Sequence, residues 1–172
     1  MDYLLRFLLC LLRWTLIVVV VVSLAVGAFT LAMNYSNISI LVADGMKTRT
    51  GVVLGFTDPA ELPKFFSQQV IANDALLKEQ TYADYKIRGF DARVDVEKLE
   101  TLPWEETATV ILRHEVPAID GELPIAKQSP EQLKNPNKIP PPPMQGGRYE
   151  LKLSKAGGQW RIISLEEIPE AA

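Results

Sequence analysis

The hydrophobic pattern of the first part of the chain is that of a membrane-spanning helix. The 19 residues from Thr15 to Met33 carry no charge, and their apolar side chains follow neither a helical nor a strand period. A helix of this length is about 28 Å long, close to the hydrocarbon thickness of a bilayer. The valine run Val18–Val22 favours a strand in water, but in lipid a helix satisfies its own backbone hydrogen bonds. The pattern predicts one transmembrane helix within residues 1–36.

The residues before the apolar run orient this helix. Arg6 and Arg13 lie seven positions apart on one helical face, from which both side chains can reach the membrane surface, and Trp14 is of the type found at that interface. No basic residue follows the run until Lys47. The positive-inside rule therefore places the N-terminus in the cytoplasm and the rest of the chain outside it, in the periplasm or the extracellular space.

Small residues near the end of the apolar run support two further interpretations. Val26–Ala28 has the spacing that a signal peptidase cleaves, but the uncharged run continues to Met33, longer than a typical leader core, which favours a retained anchor. Small residues four apart also allow close approach of another helix, in self-association or on another membrane subunit. Two such pairs occur, formed by Ser23 and Gly27 and by Ala28 and Ala32.

Residues 37–56 are predicted to connect the anchor to an exported domain. The segment Ile38–Ala43 is apolar enough to extend the helix or to form a strand, and Asp44-Gly45 indicates a turn. A helical region follows, in which Asp58 is a good N-cap and Pro59 fits the first helical position. Its apolar face is predicted from Leu62, Phe65, Phe66 and Val70, and a second helix is predicted over Ala75–Tyr85.

After Tyr85 the hydrophobic period changes to two, which predicts four antiparallel strands. The first alternates from Phe90 to Glu97 with a bulge or bend at Gly89, and a Gly-Gly turn within Lys155–Gln159 joins the last two. The predicted inward positions of the second, third and fourth strands are Ala108, Val110, Leu112, His114 and Val116, then Tyr149, Leu151 and Leu153, then Trp160, Ile162 and Ser164.

Helices followed by antiparallel strands define an α+β fold: a single transmembrane helix, then one or two helices packed on a curved antiparallel sheet over residues 57–168, with a tail at 169–172. The loop 123–147 carries seven of the twelve prolines, including Pro140, Pro141, Pro142 and Pro143. Such a loop is either draped over the surface or disordered, or is a docking segment for a partner.

Charge and composition narrow the function. From Thr57 onward there are 19 acidic and 14 basic residues, a net charge of −5, which disfavours nucleic acid as a partner. Cys10 is the only cysteine and His114 the only histidine, so the sequence offers no His/Cys cluster for a metal, and no phosphate-binding or nucleophile motif is present. No cofactor is expected.

The order of elements and the closing sequence Gly158–Ile168 resemble nuclear-transport-factor-2-like (cystatin-like cone) domains, in which a Gly-x-Trp-x-Ile type strand is common. The resemblance covers about two thirds of the chain, Thr57–Ile168. An anchor followed by such a domain also resembles type IV secretion inner-membrane assembly factors and Mce-associated membrane proteins, and this implies a protein-interaction module outside the cytoplasmic membrane. The Pro-rich loop and the short helical part depart from that pattern.

Two functions are therefore predicted. The first is a non-enzymatic, single-pass membrane protein whose partners are the bilayer and other membrane subunits, or a second copy of itself. The alternative is an anchored small-molecule binder, or an isomerase- or dehydratase-like enzyme of the kind that the cone-fold resemblance implies, using a cavity around His114, Tyr82 and Tyr85. A histidine hydrogen-bonded within the core is the simpler interpretation of His114.

Overall fold

The computed structural model describes residues 2–102, 104–128 and 139–169, and for Asp2–Arg6 and Cys10 it describes the backbone alone. The helices are α1 (Asp2–Val53) and α2 (Gln68–Asn73), with 3-10 helices at Pro59–Lys64 and Ile125–Lys127. The strands are β1 (Lys86–Glu100), β2 (Thr107–Glu122), β3 (Gly147–Ala156) and β4 (Gln159–Ile168). The α+β class is confirmed.

One continuous helix, α1, runs through both the predicted anchor and the predicted connector. Its 52 residues correspond to about 78 Å of helix. The helical alternative for Ile38–Ala43 is confirmed, whereas the turn predicted at Asp44-Gly45 is wrong. Burial explains the difference, because Ile38, Val42 and Met46, four residues apart, are all fully buried. Packing of this stripe stabilises the helix through a sequence that would favour a turn in isolation.

The four strands form a single antiparallel sheet in the order β1-β2-β3-β4, each strand pairing with the next along the chain. The alternation predicted for β2 and β3 is confirmed, since the inward side chains from Ala108 to Val116 and from Tyr149 to Leu153 are buried. Gly157 and Gly158 both have positive φ (60° and 82°) in the β3–β4 turn, a conformation in which glycine lacks the steric penalty of other residues. A register irregularity lies next to Gly89, as predicted.

The face pattern of β4 changes along the strand. Leu153 pairs with Ile162 and Lys152 with Ser164, so Ile163 is an extra residue. Such a bulge shifts the following residues to the opposite face. Trp160 and Ile162 are buried as predicted, but beyond the bulge Leu165 rather than Ser164 packs against the core.

The core lies between the sheet and the C-terminal half of α1, so the helix that covers the sheet is the continuation of the predicted anchor. The predicted helical region after residue 57 adds to this layer, since Leu62 and Phe66 are buried in the same core and Phe65 and Val70 pack against it. The 3-10 helix begins at the predicted cap, since Asp58 accepts a hydrogen bond from the Ala60 amide (2.9 Å). Phe66 then forms a parallel bridge with Ile162 at the edge of β4.

The second predicted helix, Ala75–Tyr85, is wrong, because this segment consists of turns. The Asp74 carboxylate accepts a hydrogen bond from the Leu76 amide (3.0 Å), and the backbone at Asp74 is extended. Both features end α2 at Asn73 and direct the chain toward β1.

Candidate functional site

Polar residues cluster around Arg49, in the last turns of α1. The side chain of Arg49 is buried and forms two hydrogen bonds to the Asp74 carboxylate, of 2.5 Å from Nε and 2.9 Å from Nη2. Its guanidinium also lies 5.8 Å from the centre of the Tyr149 ring. This fork-like pairing is the geometry in which arginine binds a carboxylate most strongly. Because both partners are buried, neither can be removed without leaving an unpaired charge in the core.

His114 is held next to this cluster by α1. Its Nε2 lies 3.0 Å from Thr50 Oγ1, and the Thr50 hydroxyl donates to the Met46 carbonyl (3.0 Å). Since that hydroxyl has one proton, His114 is the donor of the bond to Thr50, which assigns the proton to Nε2. Burial, and secondarily the charge of Arg49, lowers the pKa of His114 to about 4. The imidazole is therefore neutral at pH 7 and acts as a core hydrogen-bond donor.

A cleft of about 400 Å³ opens beside Arg49. It lies between α2 and the edge of β4, and its polar lining includes Arg49, Gln69, Asn73, Tyr149 and Glu167. Burial raises the pKa of the Tyr149 phenol, and the Arg49 charge offsets part of that rise. The phenol is therefore neutral at pH 7 and is suited to hydrogen bonding with a polar group.

The residues predicted for a cavity do not meet in this cleft. His114, Tyr82 and Tyr85 are absent from its walls, where the tyrosine is Tyr149. Tyr82 is buried and Tyr85 is half-buried in the turns before β1. Among the described residues, no group of three or more His, Cys, Asp or Glu side chains is placed to hold a metal ion.

Within the described residues, one helix, over Phe7–Val53, is long and apolar enough to cross a membrane. Arg13 and Trp14 are exposed on it, while the side chain of Arg6 lies outside the described residues. Of the small residues, Gly27 is half-buried, and a β-carbon added to it would have no side chain within 4 Å. The others are exposed, namely Ser23, Ala28 and Ala32.

The proline run lies partly against the domain. Pro141 is buried, whereas Pro140 and Pro143 are exposed. The Leu123 amide donates to the Ile139 carbonyl (3.0 Å), which closes the base of the loop. Residues 129–138 of the predicted docking loop lie outside the described residues.

Sequence reasoning missed Arg49, Asp74 and Tyr149 as a group. A signal was present for the helical members, because Asn34, Ile38, Val42, Met46 and Thr50 are spaced by four and Arg49 lies beside that stripe. Asp74 could not be assigned to Arg49, since 25 residues separate them and only the fold brings them together.

Comparison of the chain with protein-family models, with curated proteins and with solved structures found no match in any of the three.

Proposed function

We propose that the chain is a single-pass membrane-anchored interaction protein, an accessory subunit of a membrane complex, with its N-terminus in the cytoplasm and its α+β domain outside. One observation carries the proposal: α1 is apolar and exposed over its first part and buried in the domain core over its last part, without a break between them. Because the helix is uninterrupted, the position of the domain is fixed relative to the membrane-spanning part of α1. Confinement to a membrane raises the effective concentration of the domain near other membrane proteins.

The outer face of the sheet agrees with a binding module rather than an acid–base site. Two outward carboxylates of β1 form ion pairs, Asp91 with Arg93 (3.3 Å) and Glu97 with Arg148 (2.7 Å). Solvent-facing carboxylates that are paired with arginine lack the enclosed setting in which a carboxyl group serves as a general acid. The layout also supports, as part of the proposal, membership of the nuclear-transport-factor-2-like group.

Photo-crosslinking in native membranes tests the interaction role directly. A crosslinker at Ala28 should capture a defined membrane protein or a second copy of the chain, because Ala28 lies in the small-residue pairs. A crosslinker at Phe29, which points to the opposite side of the helix from Gly27, is the matched control. Recovery of the full-length protein in mild detergent as a lone monomer, with no crosslink at either position, would contradict the proposal.

Membrane orientation has its own test. Ile125 is highly exposed at the end of the domain far from the anchor, so Ile125→Cys should react with a membrane-impermeant maleimide added to intact cells. The test uses a Cys10→Ser background, which removes the only native cysteine. Labelling that requires cell lysis would reverse the assigned orientation.

The exposed prolines support a docking role for the loop 123–147. The double variant Pro140→Ala/Pro143→Ala changes the two exposed positions and leaves the buried Pro141 in place. Loss of crosslinked partner with an unchanged melting temperature would assign docking to the loop. Unchanged crosslinking would remove the loop from the interaction surface.

The second candidate is an anchored binder of a small polar molecule, favoured by the cleft at Arg49, Tyr149 and Glu167. A binding role for His114 itself has less support, because its Nε2 is already hydrogen-bonded to Thr50. Ligand screening by thermal shift, comparing the full-length protein with Glu167→Gln, distinguishes the two candidates. A compound that stabilises the parent but not the variant would favour the binder.

A further inference from the structure

The orientation of the sheet relative to α1 determines which loops face the anchor. Asn37 and Leu41 of α1 line a groove together with Gly158 and Trp160 at the start of β4, whereas Thr50, further along α1, contacts His114 in the middle of β2. The β3–β4 turn therefore lies at the end of the domain nearest the apolar half of α1.

The loop between β1 and β2 lies at the same end. Thr107, the first residue of β2, pairs with Ser154, and the Lys155 amide donates to the Glu106 carbonyl (2.7 Å). Glu106, at the end of the β1–β2 loop, thus adjoins the β3–β4 turn, while the 3-10 helix Ile125–Lys127 follows the opposite end of β2.

The rise per residue of a strand and of a helix shows which residues of α1 lie level with this loop. Seven residues of β2, from His114 back to Thr107, extend about 23 Å. The same distance along α1 from Thr50 corresponds to at most about 15 residues, which reaches Tyr35. Asn34 is only 7% exposed, although it directly follows the exposed apolar run, so the domain extends to the end of that run.

Two apolar side chains project from the loop at this height. Trp104 is 78% exposed and Leu102 is also exposed. The carboxylate of Glu105 is turned back and accepts a hydrogen bond from the Leu102 amide (3.1 Å), so that it caps the loop. Tryptophan combines a large apolar ring with one N–H donor, which suits the membrane–water interface.

We infer that the tip formed by the Leu102 and Trp104 side chains is a second membrane-contact site, inserted in the interfacial region of the same bilayer that α1 spans. This inference rests on the proposed membrane anchoring. Two contacts, the helix and the loop, would fix the rotation and tilt of the domain over the membrane, which a single helix does not.

The charges at this end indicate which lipid chemistry is recognised. Basic side chains near the tip include Lys155, which lies over the Trp160 ring (5.7 Å), and acidic ones include Glu100 and Glu105. With both signs present, binding depends on the apolar tip rather than on anionic headgroups. Contact should therefore occur on zwitterionic phosphatidylcholine and should change little when salt is raised.

Environment-sensitive fluorophores attached to single cysteines test the inference in the full-length protein. The background is Cys10→Ser, and the sites are Trp104→Cys, Ile125→Cys and Phe29→Cys. Ile125 is the matched control, because it is 74% exposed but lies at the far end of the domain. In phosphatidylcholine nanodiscs, quenching by aqueous iodide at site 104 should be on the order of tenfold weaker than at site 125, the ratio that 1.4 kcal/mol of interfacial preference gives.

The outcomes separate this inference from the proposed function. Shielding at sites 29 and 104 but not at 125 supports both. Shielding at 29 with equal quenching at 104 and 125 overturns the loop contact and leaves the anchor intact. Full quenching at 29 overturns the anchor and the inference together. Shielding of 104 in native membranes but not in lipid nanodiscs would assign the tip to a protein partner and overturn the inference.

A second measurement uses the native tryptophan and so tests the inference even if a labelled variant does not fold. Lipids brominated near the headgroup should quench more emission in the parent protein than in Trp104→Phe, because the variant lacks the quenched fluorophore. A quenched fraction in the parent that is equal to or smaller than that in Trp104→Phe would overturn the inference.

Discussion

The two halves of α1 share one helical backbone but differ in what surrounds them. Between Phe7 and Met33 the large apolar side chains are exposed on every side, whereas from Asn34 to Thr50 one stripe is buried against the sheet and polar residues such as Asp44 and Lys47 face outward. The two halves thus have different side-chain patterns, each of which suits a different environment. A helix in lipid is apolar all round, while a helix on a sheet needs one apolar stripe.

The largest expected effect comes from the charge buried in the second half. Asp74→Ala leaves Arg49 unpaired in the core and should lower the free energy of unfolding by about 3–5 kcal/mol. Denaturation of the full-length protein in detergent, followed by the emission of the buried Trp160, measures this. Glu100→Ala is the control, since it removes an exposed pair with Lys98 and should change stability by less than about 1 kcal/mol. Equal losses in both variants would contradict the assigned role of the buried pair.

Replacing a methionine by alanine in each half gives a matched pair of substitutions, of which only one creates a cavity. Met46 is fully buried and Met33 is 48% exposed. Met46→Ala should destabilise the domain by about 2–5 kcal/mol, and Met33→Ala should leave the unfolding midpoint of the domain within the error of the parent. If Met33→Ala were the more damaging substitution, the boundary between the two halves would lie elsewhere.

Acid sensitivity should arise in the second half through His114. Its pKa is lowered to about 4, from the 6.5 of an unperturbed histidine, so the unfolded chain binds a proton at pH values where the folded chain does not. The stability contribution is complete above pH 6.5 and is lost as pH falls toward 4, with a slope of up to about 1.4 kcal/mol per pH unit. Unfolding midpoints between pH 7 and 5 measure it. In His114→Gln this slope should flatten, and an unchanged slope would contradict the assignment.

The smallest expected difference in stability is between alanine substitutions at two glycines of α1. A β-carbon on Gly51 would lie 2.2 Å from Thr57 Oγ1, whereas none of the neighbouring atoms lies within 4 Å of one on Gly27. Gly51→Ala should therefore destabilise by about 1–3 kcal/mol through overpacking. Gly27→Ala should not lower the stability of the domain, and it also reports on the predicted helix contact. If Gly27→Ala abolishes the crosslink at Ala28 without changing stability, the helix–helix contact includes Gly27.

Much of the secondary structure could be predicted because its signals are local. The alternation in β2 and the Gly157-Gly158 turn involve neighbours in sequence, and both were predicted correctly. The bulge at Ile163 was not, because it depends on how β4 pairs with β3. The candidate site was missed for the same kind of reason, since Arg49, Asp74 and Tyr149 come from three separate segments.

The sequence by itself determined that Thr15–Met33 is an uncharged apolar helical segment and that a half-buried set of antiparallel strands follows Tyr85. Both properties depend on side-chain chemistry at short range. The tertiary structure alone decided that the helix continues through Asp44-Gly45 into the domain. Gly45 is buried there, and a β-carbon would lie 3.2 Å from that of Phe65, so this glycine allows close packing instead of a turn. The free energy comes from burying Ile38, Val42 and Met46 on strands far along the chain, which no local pattern reveals.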